Sequence, residues 1–360
     1  MNPELRLQAL IDSVQPTDPA AEDRARKRLD SLTKPPGSLG RLEDLAAQVA
    51  RIQDTDRPLV ERKVIIVMAA DHGVVAEGVS PYPQEVTVQM VANFAAGGAA
   101  VNQLAAAVGA QVRVVDVGVA GDVAAIPGVE HEKIAPGTQN LAAGPAMTRE
   151  EAARAILVGA RCAREAAGAG VRLIGTGEMG IGNTTASAAL TAAFTGLPVA
   201  GLVGRGTGLD DAGLNRKVEV VERALRVNDV DRRDVLGTLA ALGGLEIAAL
   251  AGVVLGAAAT RTAVIVDGFI SGVAALVAVR LAPSAAGYIL PSHRSAEPGH
   301  KAVLDALGLE PVIDFEMRLG EGTGAALVMG IVDGGCRMLS GMATFAEANV
   351  SEAPGRSAQR

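Results

Sequence analysis

The sequence predicts an α/β chain built on an open, mostly parallel sheet flanked by helices, preceded by a helical segment. Three observations carry this. From residue 62 short apolar runs alternate with helix-like stretches. Several runs are apolar without interruption, as in strands covered on both faces. Polar, Gly-rich residues follow one run after another, as at the ligand-facing edge of such a sheet.

Residues 1 to about 58 read as helical: Leu5, Leu7, Leu10 and Ile11, then Leu29 and Leu32, then Leu39, Leu42, Leu45, Val49 and Ile52 recur at helical spacing. Pro35-Pro36-Gly37 interrupts them because that tripeptide cannot continue a helix. Strands are expected at 63–70, 111–119, 171–177, 199–204, 262–268, 285–291 and 309–315. Helices are expected near 83–107, 149–168, 184–195, 211–227, 233–258, 269–281 and 323–340. The alternation implies right-handed crossovers. The strand ends carry Asp71-His72-Gly73, Gly177-Glu178, Gly204-Arg205-Gly206, Asp267-Gly268, Ser292-His293-Arg294-Ser295 and Arg318-Leu319-Gly320-Glu321-Gly322. Recurring around one edge, they predict one composite site.

Composition narrows the function. The 360 residues are 49% hydrophobic and 2% aromatic with no Trp, so the expected core is Ala, Val, Leu and Gly. Net charge is −7 and no Lys/Arg block stands out, which argues against nucleic acid as the main partner. Cys162 and Cys336 lie far apart in apolar helical patterns and read as buried free thiols of a reducing compartment. The N-terminus lacks the apolar region of a signal peptide, and the run Ile247–Thr260 is too short to cross a bilayer. A soluble cytoplasmic protein is expected.

Gly175, Gly177 and Gly180 spell G-x-G-x-x-G between a strand and a helix, the pattern of dinucleotide binding. The acidic ribose ligand expected about 20 residues on is missing, the nearest acid being Asp210 beyond a second Gly loop. Glu178 inside the motif would also face a pyrophosphate unfavourably. The continuation Gly180-Ile181-Gly182-Asn183-Thr184-Thr185 reads either as an ordinary capped turn or as a phosphate-monoester site at a helix N-terminus. Lys217, on the helix after the Gly204–Gly208 loop, is either a solvated surface lysine or a phosphate contact. Glu321 stands between two glycines ahead of an apolar helix. It suits the helix dipole, and in apolar surroundings it could have the raised pKa of a general base. His72, His131, His293 and His300 show no metal-ligand spacing, and neither a P-loop nor a nucleophile elbow is present.

The ordered motifs LTKPPGSLGRLE, AADHGV, GVSPYPQEVTVQMVANFAAGGAAVNQLA, GTGEMGIGNTT, GRGTGLDD, VDGFIS, SHRSAEPGH and RLGEGTGAAL resemble those of the nicotinate-nucleotide–dimethylbenzimidazole phosphoribosyltransferase family from about residue 31 to 350. The resemblance implies transfer of ribose phosphate from nicotinate mononucleotide to 5,6-dimethylbenzimidazole, a lower-ligand step of cobalamin biosynthesis, without metal or redox cofactor. It also implies a cytoplasmic homodimer. It implies a Rossmann-like sheet domain over 59–334 and a smaller all-helical domain formed from both termini (1–58 with about 335–352). A flexible tail over 353–360 is expected as well.

By the same resemblance Glu321 is the general base and Glu178 a second active-site carboxylate. Ser80 and Gln89 line the benzimidazole pocket with Tyr82, Phe94, Met179 and Leu319, and Pro81 stands where a small residue is expected. Gly180, Gly182, Asn183, Thr184, Gly206, Lys217, Asp267 and Ser295 match the mononucleotide region. Two rivals remain. A nicotinamide-dependent oxidoreductase would use Gly175–Gly180 and bind NADH, and a sensor or scaffold would bind the mononucleotide without consuming it. Convergent acids and phosphate-type loops favour catalysis.

Overall fold

A computed structural model describes residues 2–206 and 208–351, so the tail expected over 353–360 lies outside the described residues. The helices, in order, are α1 (Pro3–Ser13), α2 (Pro19–Ser31), α3 (Arg41–Gln53), α4 (Glu85–Ala95), α5 (Ala100–Ala107), α6 (Arg149–Gly168), α7 (Asn183–Thr195), α8 (Asp211–Asn228), α9 (Val235–Leu242), α10 (Leu245–Ala259), α11 (Phe269–Leu281), α12 (Pro298–Leu307), α13 (Thr323–Gly341) and α14 (Phe345–Ala348). The strands are β1 (Lys63–Ala70), β2 (Ala110–Gly118), β3 (Val129–His131), β4 (Leu173–Met179), β5 (Ala263–Val266) and β6 (Ile289–Pro291). All pair in parallel, in the order β3-β2-β1-β4-β5-β6. This is the Rossmann-like order, in which the direction of winding reverses between β1 and β4.

Local chemistry explains the elements. Every residue of β1 is buried, as a central strand covered on both faces requires. Helix α6 begins at a capping box in which Thr148 and Glu151 bond each other's backbone N–H groups. Helix α10 is buried along nearly its whole length and packs on α6, where Gly159 and Gly252 let the two backbones touch.

The chain divides into two compact units. The first, Met1–Gln15 with Arg62–Met329, contains the whole sheet. The second, Pro16–Glu61 with Gly330–Arg360, has helical elements and one isolated bridge between Leu32 and Thr344 among its described residues. Its core is Ala25, Leu29, Leu32, Ala46, Ala47, Ala50 and Leu339. Helix α1 departs from the expectation for residues 1–58: its buried Leu7 and Leu10 pack in the sheet-bearing unit, against α6 and α10.

Several elements differ from expectation. Residues 199–204 form a short 3-10 turn at Val199–Gly201, because β5 already occupies the edge of β4 that a strand there would need. The 309–315 segment contributes a single bridge, Ile313 to His293. In 285–291 only Ile289–Pro291 is strand, since a 3-10 turn led by Pro283 takes up the rest. The 83–107 and 233–258 helices each break at a Gly pair, Gly97-Gly98 and Gly243-Gly244. Strand β3 and helix α12 are additional. No described helix is long and apolar enough to cross a membrane, and both cysteines are free and buried.

Candidate active site

Ligands of open parallel sheets bind beyond the carboxyl ends of the strands, where the winding reverses. Here that point lies between β1, which exits through Asp71-His72, and β4, which ends in Glu178-Met179. A cavity of about 690 Å³ opens there, within the sheet-bearing unit.

Glu321 reaches the cavity from an unusual backbone. Gly320, Glu321 and Gly322 have φ of 84°, 64° and 95°, three successive left-handed residues. A non-Gly residue so held costs on the order of 1–3 kcal/mol and persists only where its surroundings impose it. They do: a Cβ on Gly320 would land on the Glu178 carboxylate, and one on Gly322 would come within 2.7 Å of Ile65. The Glu321 side chain is buried, and its Oε2 has no hydrogen-bond partner among the described residues. Burial, helped by the Asp267 charge, pushes this carboxyl up to about 7.

Glu178 accepts a hydrogen bond from the side-chain amide of Asn183, the first residue of α7. Burial pushes it up to about 8; Asp267 and Glu246 add to the shift and Asn183 opposes it. Asp267 itself does not line the cavity. Its carboxylate accepts N–H bonds from Gly322 (3.2 Å) and Ala325 (3.0 Å), and its own N–H donates to Thr176 Oγ1 at 3.1 Å. It therefore holds the turn that bears Glu321.

A cationic wall is built from two Gly-rich loops. Lys217 is buried; its Nζ donates to Thr184 Oγ1 at 2.8 Å and to the Gly204 carbonyl at 3.3 Å. Burial, partly offset by Glu297, brings its ammonium down to about 8. Gly180, Gly182, Asn183, Thr184, Gly206 and Ser295 line the same cavity. The Ser295 N–H donates to His300 Nδ1 at 2.9 Å, which fixes that loop.

Ser80, Tyr82, Met179 and Leu319 form the more apolar side, with Tyr82 and Leu319 exposed at the mouth. Gln89 and Phe94 are not among the lining residues. Gln89 is exposed on α4, and Phe94 is turned into the core with Thr87 and Val91. Helix α4 offers Val86 and Met90 instead, one turn apart on its cavity-facing side.

Arg318, whose Nη1 donates to the Gly206 carbonyl at 3.2 Å, and His293 also line the cavity; both stand in the strand-end runs, but the sequence assigned them no role, and it missed Phe269, Ile270 and Glu297. Phe269 and Ile270 directly follow the strand end Asp267-Gly268, a usable signal. The contact of Arg318 with Gly206 could be found only from the folded loop. The arrangement thus offers an anion site, an apolar slot, and two carboxylates that can take or hold a proton near neutrality.

Among the described residues one group of carboxylate and thiol side chains has the spacing of possible metal ligands. That group, Glu130, Cys162 and Glu165, is neutralised by Arg113, which bonds Glu130 twice at 2.7 Å and Glu165 at 3.1 Å.

A family model described as Phosphoribosyltransferase matches residues 14–350. The chain is 56% identical over 342 residues to the nicotinate-nucleotide–dimethylbenzimidazole phosphoribosyltransferase of Chloroflexus aggregans, covering 95% of this chain and 97% of that one. It is 52% identical over 342 residues to the enzyme of the same name from Geobacter sulfurreducens, with the same coverage. A crystal structure of the Thermus thermophilus enzyme of that name superposes with a TM-score of 0.88 at 49% identity, over 93% of this chain and all of that one.

Proposed function

This chain belongs to the nicotinate-nucleotide–dimethylbenzimidazole phosphoribosyltransferase family, and we propose that its cavity performs that transfer with Glu321 as general base. The enzyme moves the phosphoribosyl group of nicotinate mononucleotide to 5,6-dimethylbenzimidazole, giving α-ribazole 5′-phosphate and nicotinate for cobalamin synthesis. The single observation that carries the base assignment is the buried, unpartnered Glu321 Oε2 at the cavity.

The reaction balances on these residues. Lys217 and Arg318 supply positive charge for the phosphate, beside the Gly180–Thr184 turn and its helix N-terminus. The apolar side, with Ser80, Tyr82, Met179 and Leu319, receives the benzimidazole. One benzimidazole nitrogen attacks C1′ while the C1′–N bond of the nicotinate ring breaks. The bonding pair neutralises the departing pyridinium, so no strong acid is needed. Glu321 takes the N–H proton from the other benzimidazole nitrogen. Glu178, when ionised, faces the positive charge that develops at C1′. Direct displacement inverts C1′ from β to α.

The buried thiols Cys162 and Cys336 and the biosynthetic role support a cytoplasmic enzyme, and the family resemblance supports a homodimer. The test is to incubate the protein with nicotinate mononucleotide and dimethylbenzimidazole. Stoichiometric nicotinate and α-ribazole phosphate are expected; nucleotide binding without either product would refute the assignment.

A further inference from the structure

At the point where the winding reverses, a second layer lies beneath the cavity. His72, which follows β1, and Glu246, in the first turn of α10, are both fully buried, with Nε2 and Oε1 2.5 Å apart. Burial pulls the imidazole down, but Glu246 and Asp71 more than restore it, so the net shift is upward. Neither residue lines the cavity. Both lie against its Gly-rich turn, which the Ala70 carbonyl and Val75 also confine: a Cβ on Gly180 would meet the Ala70 oxygen at 2.3 Å and one on Gly182 would meet Val75 at 2.9 Å. A Cβ on Gly180 would come within 3.3 Å of Glu246 Oε1 and 3.4 Å of His72 Cδ2, and one on Gly182 within 3.3 Å of His72 Cβ. A Cβ on Gly244, ahead of α10, would run into the His72 ring. The same turn is held from its other side by Thr87 Oγ1, which accepts the Ile181 N–H at 3.3 Å. One residue beyond the turn, Asn183 donates to Glu178.

We propose that the buried Glu246–His72 pair is a positioning element for Glu178, holding the Gly180–Gly182 turn in the shape that brings Asn183 onto the Glu178 carboxylate. The inference rests on the reading of Glu178 as an active-site carboxylate. Backing a flexible Gly turn with a buried, hydrogen-bonded pair removes freedom that three nearby glycines would otherwise retain. The pair also places a negative charge opposite Glu178. The other charged groups facing Glu178 are Asp267 at the end of β5 and Glu321 ahead of α13. Glu246 itself faces His72, with Asp71 next to it.

The test compares the pH dependence of kcat/KM in the wild type, Glu178→Gln, Glu246→Gln and the double variant. Glu246→Gln keeps the shape of the side chain and removes its charge. The Glu246 charge raises the Glu178 carboxyl, so its removal should lower it. The expected result is a severalfold loss of kcat and a rising limb moved to lower pH. In the Glu178→Gln background Glu246→Gln should move nothing, since Glu246 is not among the groups that shift Glu321. A wild-type rate and profile for Glu246→Gln, with Glu178→Gln impaired, overturns the positioning role alone. Wild-type turnover in Glu178→Gln overturns the reading beneath it. Should Glu246→Gln not fold, Thr87→Val removes the acceptor of the Ile181 N–H together with the Thr87 hydrogen bond to Asp71, the neighbour of His72. It should lower kcat in the wild type but not in Glu178→Gln, and additive losses would refute the role.

Discussion

Asp267 Oδ2 accepts the backbone N–H of Gly322 at 3.2 Å, one residue beyond Glu321. The buried carboxylate at the end of β5 thus fixes the left-handed turn that aims the proposed base. Asp267→Asn turns an amide NH₂ toward a group of N–H donors. A loss of about 1–3 kcal/mol in stability is expected, since a buried donor goes unpaired. Denaturant titration reads that loss. The kcat should fall more than KM changes, because the turn is disturbed and the phosphate loops are not.

Glu321→Gln should leave fold and mononucleotide affinity intact and lower kcat by roughly 10²–10⁴-fold, the usual contribution of a general base. Steady-state kinetics with calorimetric binding decides it; a near-wild-type kcat would refute the role.

The pH dependence follows from the same carboxyl. Glu321 sits at about 7 in the folded protein and must be ionised to accept a proton, and Glu178 at about 8 must be ionised to face the charge at C1′, so activity should rise with pH through both. For stability the sign is opposite. A carboxyl raised by burial binds its proton more tightly folded than unfolded, so its contribution falls as pH rises from the ordinary carboxylate range toward 7. Glu321→Gln should therefore have a higher Tm than the wild type at pH 8, and the advantage should vanish near pH 4.

Lys217 runs the other way. Burial lowers its ammonium to about 8, so the free enzyme loses this charge above that pH. The kcat/KM for nicotinate mononucleotide should fall on that alkaline side, whereas kcat should not, because a bound phosphate keeps the ammonium charged. Lys217→Met should reduce kcat/KM roughly 10- to 150-fold, equivalent to about 1.5–3 kcal/mol for a charged hydrogen bond.

The α6–α10 contact provides a stability test away from the site. A Cβ on Gly252 would overlap the Ile156 carbonyl oxygen. Gly252→Ala should cost about 1–3 kcal/mol, since backbone must separate to admit it. Chemical denaturation measures the cost, and per-site activity of the folded fraction should be retained.

Legibility in the sequence followed the range of the interactions. The apolar runs at β1 and β4 and the Gly-flanked Glu321 were readable because burial on both faces and backbone freedom leave local marks. Glu178 stood out as a charge inside a Gly motif. The 199–204 and 309–315 segments have strand-like composition but no ladder to join, and pairing is a property of the neighbours. Gln89 and Phe94 share a helix with true wall residues, and only the rotation of α4 separates Val86 and Met90 from them.

Composition and pattern alone were enough for the parallel α/β class, the edge of the sheet that carries the proposed site, and the position of Glu321 and Glu178 at that edge, whereas the roles proposed for them came from the family resemblance. Each follows from periodicity or from residues adjacent in the chain. Folding alone decided that Asp267 serves backbone amides, that Arg318 meets Gly206, and that His72 and Glu246 form a buried pair across 174 positions. Those partners are joined by packing and burial in three dimensions, and nothing in the local spacing of the chain encodes them.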